Sequence, residues 1–151
     1  MKRSLRYLPI LFILFFAQSC VKTLVVPDNA PVAGSWVLSE SSKNNGNGWY
    51  YFNTGLENGV FDFYNDGSAK YDDGYNFMRG SWNIQTIVSG YYDQYGNYYN
   101  DAHQSFEIHV YDNLTHGSAD LYFDDVLFTG NKIIATNYNG NIIARYIFRR
   151  Y

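Results

Sequence analysis

Lys132 to Arg150 reads KIIATNYNGNIIARYIFRR. Two runs rich in isoleucine and aromatics, Lys132 to Tyr138 and Asn141 to Arg150, flank Asn139-Gly140, a dipeptide strongly favoured in two-residue β-hairpins. The same grammar recurs upstream. Gln104 to Tyr111 sets Phe106, Ile108 and Val110 against Glu107, His109 and Tyr111, the alternation of a sheet with one buried face. Gly59 to Tyr64 alternates likewise, with Phe61 and Phe63 on one side, and Asn65-Asp66-Gly67 turns it into Ser68 to Asp72.

Further strands are predicted at Ser35 to Ser39, Arg79 to Val88 and Ser118 to Thr129, the last with a potential break at Asp124-Asp125. No segment from Gly34 onward repeats with the 3.6-residue period of a helix. The sum is an all-β domain of about eight strands, with nine or ten as alternatives. Short turns join neighbours in sequence, so a meander is the economical topology. Closing eight antiparallel strands into an up-and-down barrel would remove both sheet edges.

Composition agrees with strands and turns. Aromatics make up 20% of the chain, with sixteen tyrosines and eleven phenylalanines, interspersed with Gly, Asn and Asp. Three of the eleven basic residues, Lys2, Arg3 and Arg6, fall in the first nineteen positions, so the remaining 132 residues carry eight basic and fourteen acidic groups, a net charge of −6. With no basic patch, nucleic acid is excluded as a partner.

The first nineteen residues are built differently. A basic start is followed by the apolar run ILFILFFA (Ile10 to Ala17) and by Ala17-Gln-Ser-Cys20. This is the anatomy of a secretory signal, and the run is shorter than the roughly 20 residues that span a bilayer. Cys20 is the only cysteine, so it has no disulfide partner in the chain. The segment resembles the lipobox of bacterial lipoproteins, although Gln18 is unusual there. The resemblance implies cleavage before Cys20, acylation of that residue and a membrane anchor. Val21-Lys22-Thr23 lacks an adjacent aspartate, which by the same resemblance points to the outer membrane, facing the periplasm. The expected organisation is a signal peptide over 1–19, a lipidated tether over 20–32 containing Pro27 and Pro31, and one domain over 33–151.

Gly34-x-Trp36, Phe61-x-Phe63-x-x-Asp66-Gly67, Gly80-x-Trp82 and Tyr146-Ile-Phe148-Arg149 together resemble the lipocalin-like domains of small bacterial lipoproteins. The resemblance implies that Trp36 packs at the closed end of the barrel beneath an arginine, either Arg145 or Arg149. Trp82 repeats the Gly-Ser-Trp motif and marks a second, similar corner. It also implies a small apolar or amphipathic ligand inside, against Phe61, Phe63, Phe106, Ile108 and Val110. The chain departs from classical lipocalins in having neither disulfides nor an evident helix.

No nucleophile elbow, phosphate loop or zinc-protease motif occurs, and neither enzymatic activity nor a cofactor is expected. His103, Glu107 and His109 share one strand parity, which suits either a metal or, more plainly, the wet side of a strand. Asp62, Asp66, Asp72 and Asp73 crowd one hairpin, where turn chemistry explains them without calcium. Asn44 to Trp49 reads as a plain loop. Ser89 to Asn100, SGYYDQYGNYYN, is the most distinctive stretch. Its Tyr91, Tyr92, Tyr95, Tyr98 and Tyr99 suit a loop recognising a glycan or protein of the cell envelope, or a long hairpin with tyrosines paired across it.

The anchor has a direct test. In a host that acylates lipoproteins, the chain should incorporate labelled palmitate and sediment with membranes, and Cys20→Ala should do neither. Label retained by Cys20→Ala would sink the assignment.

Overall fold

The computed structural model describes residues 32–151; the signal segment, Cys20 and the tether up to residue 31 lie outside the described residues. Ten strands and no helix occur among them: β1 (Gly34–Asn44), β2 (Trp49–Tyr51), β3 (Val60–Phe63), β4 (Ser68–Asp72), β5 (Phe77–Tyr92), β6 (Tyr98–Tyr111), β7 (Ser118–Phe123), β8 (Asp125–Thr129), β9 (Lys132–Asn139) and β10 (Ile142–Arg150). All pairings are antiparallel, and the hydrogen-bonded order is β7-β6-β5-β4-β3-β1-β10-β9-β8, with β2 added to β1.

The all-β antiparallel meander is as expected, but the closed eight-stranded barrel is not. The two ends of the sheet, β7 and β8, do not pair with each other. They are consecutive in the chain, joined by Asp124 alone. The ladder to β6 ends at Phe106↔Phe123 and the ladder to β9 begins at Asp125↔Thr136, so the chain changes neighbours at Asp124. Side chains bridge this seam where backbone pairing stops. Asn137 Nδ2 donates to the Tyr122 carbonyl at 3.0 Å, and the Tyr138 N–H donates to Asp124 Oδ2 at 2.6 Å.

Alternation places one face of nearly every strand in a single core. Its centre is a closed cycle of five phenylalanines. Ring centroids are 6.0 Å apart for Phe61–Phe63, 5.6 Å for Phe63–Phe106, 5.8 Å for Phe106–Phe123, 6.2 Å for Phe123–Phe148 and 5.7 Å for Phe148–Phe61. These rings come from β3, β6, β7 and β10, so the cycle ties the two halves of the curled sheet together. Tyr71 leans on Phe61 at 4.8 Å.

Trp36 is buried, and its indole N–H donates to the Val32 carbonyl at 2.6 Å, so the domain begins at or before residue 32. The cation above it is Arg150, at 4.6 Å from the ring centroid, and not Arg145 or Arg149. The register explains the correction. Arg150 stands opposite Trp36 and shares its face of β10 with Phe148, whereas Arg149 faces Val37 on the other side. Arg145 lies over Trp49 instead, at 4.5 Å.

The two Gly-Ser-Trp motifs also part company. Gly34 has φ of 131°, and a Cβ there would collide with the Arg150 guanidinium. At Gly80 the constraint is space, because a Cβ would run into the His109 carbonyl of β6. Trp82 is half-buried at the rim, 6.0 Å from Phe63, and donates to the Tyr64 carbonyl at 2.9 Å. It does not plug an end of the core.

The phenylalanine cycle sets an expectation for stability. Phe106→Ala should cost about 3–5 kcal/mol by chemical denaturation. Tyr75→Ala, at a ring 94% exposed, should stay within about 0.5 kcal/mol of the parent. Equal costs would show that the cycle is not the centre of stability.

Candidate functional site

The five residues expected to wall a ligand cavity all belong to the core. Phe61, Phe63, Phe106, Ile108 and Val110 are at most 2% exposed. The tyrosine stretch is a different matter. It is not a loop: β5 and β6 run on to Tyr92 and Tyr98 and pair to the end, leaving only Asp93–Asn97 as the turn. The Asp93 carboxylate organises that turn, with Oδ1 accepting the N–H groups of Tyr95 at 2.8 Å and Asn97 at 2.9 Å. Burial pushes its pKa up, but these bonds outweigh burial and hold it below the usual carboxylate range.

Period-two alternation gives this arm two faces. Tyr91 and Tyr99 stack on one, with centroids 5.7 Å apart, and Tyr92 and Tyr98 meet on the other at 5.3 Å. Arg145 clasps the tip to the rest of the sheet. Its Nη1 donates to the Gln94 carbonyl at 3.3 Å, and its Nη2 lies 3.4 Å from Glu40.

On the Tyr92 face, three turns converge on one cleft of about 500 Å³. The arm supplies Tyr92, Tyr95 and Gly96, the β1–β2 connection supplies Asn44, Asn45 and Gly46, and the end of the β9–β10 hairpin supplies Tyr138, Asn141 and Ile143. Pairing of Asn44 with Ile143 brings the last two groups together. Tyr92 lies against Tyr138 at 4.5 Å. None of these nine lining residues carries a charge.

The Tyr91 face looks onto the seam and forms a cleft of about 280 Å³, lined by Tyr91, Asp93, Gln94, Tyr99, Asp125, Val126, Leu127 and Ile134. Burial, opposed by His103 and the Val126 N–H and reinforced by neighbouring Asp93 and Asp101, leaves Asp125 raised to about 6. Burial, together with a hydrogen bond to Asp101, pushes the Tyr91 phenol up to about 12. His103 stacks on Tyr91 at 3.9 Å. Its Nδ1 is 3.0 Å from the Asp101 carbonyl, which can only accept, so the neutral ring carries its proton on Nδ1. The Nε2 atom is buried without a partner among the described residues.

His103 is therefore buried, not on the wet side of its strand. His109 is exposed and bonds Asp120. Among the described residues, no three His, Cys, Asp or Glu side chains are placed to hold a metal ion. Asp66 and Asp73 of the β3–β4–β5 region serve turns, as expected, whereas Asp62 and Asp72 share an ion pair with Lys70. Asp66 accepts from Ser68, Asp73 from Tyr75 and Asn76, and Lys70 bridges Asp62 and Asp72 at 3.6 and 3.3 Å.

No family model, curated protein or solved structure matches this chain. The site therefore rests on its own geometry. Asn44, Asn45, Tyr138, Asn141 and Asp125 were not singled out from sequence as members of these clefts. The one available signal was the abundance of asparagine and glycine in the connections that meet the tyrosine arm.

Asp125 makes a pH prediction. A carboxyl raised in the folded state contributes stability that is fully present below its unfolded value of 3.8 and is lost as pH rises through about 6. Asp125→Asn removes that loss. Its melting temperature should exceed the parent's at pH 7.5, and the difference should shrink on acidification and vanish near pH 4. A constant difference across this range would contradict the raised pKa.

Proposed function

We propose that this protein is a lipid-anchored, non-catalytic binding module that captures a neutral glycan in the asparagine–tyrosine cleft. One observation carries the reading: Tyr92, Tyr95 and Tyr138 share an uncharged cleft with Asn44, Asn45 and Asn141. Sugar rings present apolar C–H faces that stack on aromatic rings, and hydroxyls that both donate and accept. Asparagine amides match hydroxyls in both senses, and tyrosine adds a flat apolar face with a polar tip. An uncharged lining offers no counter-ion to a strongly ionic ligand.

The lipocalin-like resemblance carries a ligand inside the fold, but an internal ligand would have to open the phenylalanine cycle. The arm and its neighbouring turns need no such rearrangement. The anchor proposed at Cys20 stands twelve positions before Val32, a span of at most about 40 Å for extended chain, which keeps the cleft near the outer membrane. On this reading the protein faces the periplasm and meets envelope glycans there.

The test uses the intact protein in a polyoxyethylene detergent, which carries no sugar. Tetrasaccharides of glucose and of N-acetylglucosamine, in α and β linkage, are titrated by calorimetry. At least one should bind, and Tyr95→Ser and Asn45→Ala should each weaken it about tenfold. Tyr75→Ser, at an exposed ring outside the cleft, should leave it unchanged. Binding by none of these sugars at millimolar concentration, or indifference to Tyr95→Ser and Asn45→Ala, overturns the proposal.

A further inference from the structure

We infer that the seam cleft on the opposite face of the arm is a second site, built to accept an organic ammonium group between the Tyr91–Tyr99 wall and the Asp125 carboxylate. Three features of the cleft converge on that chemistry.

The first is the wall. Tyr91 and Tyr99 stack with an interplanar angle of 28° and both line the cleft. His103 backs Tyr91 and, being buried, limits its room to swing away. Aromatic faces carry negative charge at their centres and attract a cation placed over them. The second is the opposite side, where Val126, Leu127 and Ile134 offer apolar contact to alkyl groups on that cation.

The third is charge. Asp93 and Asp125 both line the cleft, and no lysine or arginine does. Asp93 has its oxygens engaged by the N–H groups of Tyr95 and Asn97 and by the Asn97 amide. Arg145 of β10 is directed to Glu40 and the Gln94 carbonyl. Asp125 has the Val126 N–H and the charge of His103 in its favour, with the like charges of Asp93 and Asp101 opposing it. Its cross-strand neighbour Thr136 is neutral. A carboxylate so placed gains from a cation brought in from solution.

The same inventory argues against a metal ion. Calcium takes six to eight oxygen ligands and zinc usually four N, S or O donors, and no such cluster occurs among the described residues. An alkylated ammonium needs only one carboxylate, because its remaining surface is satisfied by rings and methyl groups.

Acidification should weaken the site. Protonating Asp125 removes the counter-ion of the ligand.

The experiment titrates the intact protein, in polyoxyethylene detergent, with choline and with its neutral isostere 3,3-dimethylbutanol. At pH 7.5 choline should bind about tenfold more tightly than the isostere. Between pH 7.5 and 5 that preference should disappear. Asp125→Asn should abolish the preference at pH 7.5, with folding verified by its thermal transition. Tyr99→Ser, at an exposed ring, supplies an independent variant and should weaken choline binding. Equal affinity for the two probes, no binding of choline, or a preference untouched by Asp125→Asn or by Tyr99→Ser overturns the inference. Neither Tyr91 nor Tyr99 lines the asparagine–tyrosine cleft, so this test and the glycan titration fail independently.

Discussion

Everything in this fold hangs on the cycle Phe61–Phe63–Phe106–Phe123–Phe148. Phe61 and Phe63 sit on β3, Phe106 and Phe123 on β6 and β7, and Phe148 on β10. In the hydrogen-bonded path β7 and β10 are far apart, yet Phe123 and Phe148 touch. That contact exists only because the sheet curls until its two ends face one another. Backbone ladders alone would permit a flatter, more open sheet. Burying five large rings in mutual edge-to-face and offset contact supplies the drive to curl.

The curl is not completed by hydrogen bonds, and the reason is local. From Ser118 the chain follows β6, and from Asp125 it follows β9. A strand that serves two neighbours in succession cannot pair fully with both along its whole length. The Asp124 carboxylate and the Asn137 amide satisfy backbone groups left at this handover. Beyond Phe106 toward Tyr98, β6 therefore has no ladder partner on its β7 side. The seam cleft opens there, and the β5–β6 arm extends freely enough for both of its faces to be used.

Part of this was legible in the sequence, and the physical reasons for success and failure differ by element. Ser68 to Asp72 matches β4 residue for residue, because an Asp-Gly turn fixes one end and Asp72-Asp73-Gly74 the other. Gln104 to Tyr111 was recognised by its alternating apolar side chains, but β6 begins at Tyr98, where Tyr98-Tyr99-Asn100-Asp101 shows no alternation. The final hairpin turns at Gly140-Asn141, one residue later than Asn139-Gly140. Glycine occupies the first turn position with φ of 62°, which asparagine fills less readily. Three-residue β2 carries too few positions for any period, and nothing local announces that Asp124 is a seam. The tyrosines stood out by their density. That they divide between two clefts depends on the register of a hairpin whose ends were misplaced.

A single hydroxyl sorts the aromatic residues of this chain. The five members of the core cycle are all phenylalanine, whereas tyrosines dominate the large exposed hydrophobic side chains. A buried phenol must find a hydrogen-bond partner or lose the one it had in water. Tyr71 is the informative exception. It is fully buried, its hydroxyl reaches Asp73 at 3.5 Å, and burial raises its pKa to about 12. Along the arm no such constraint applies, because its tip lies beyond the core cycle. Tyrosine there keeps the flat apolar face of phenylalanine, and its hydroxyl can meet solvent, as at the exposed Tyr95, or a neighbouring carboxylate, as Tyr91 meets Asp101. The composition of the arm is thus what a strand pair would show if its rings were placed for contact with something outside the fold.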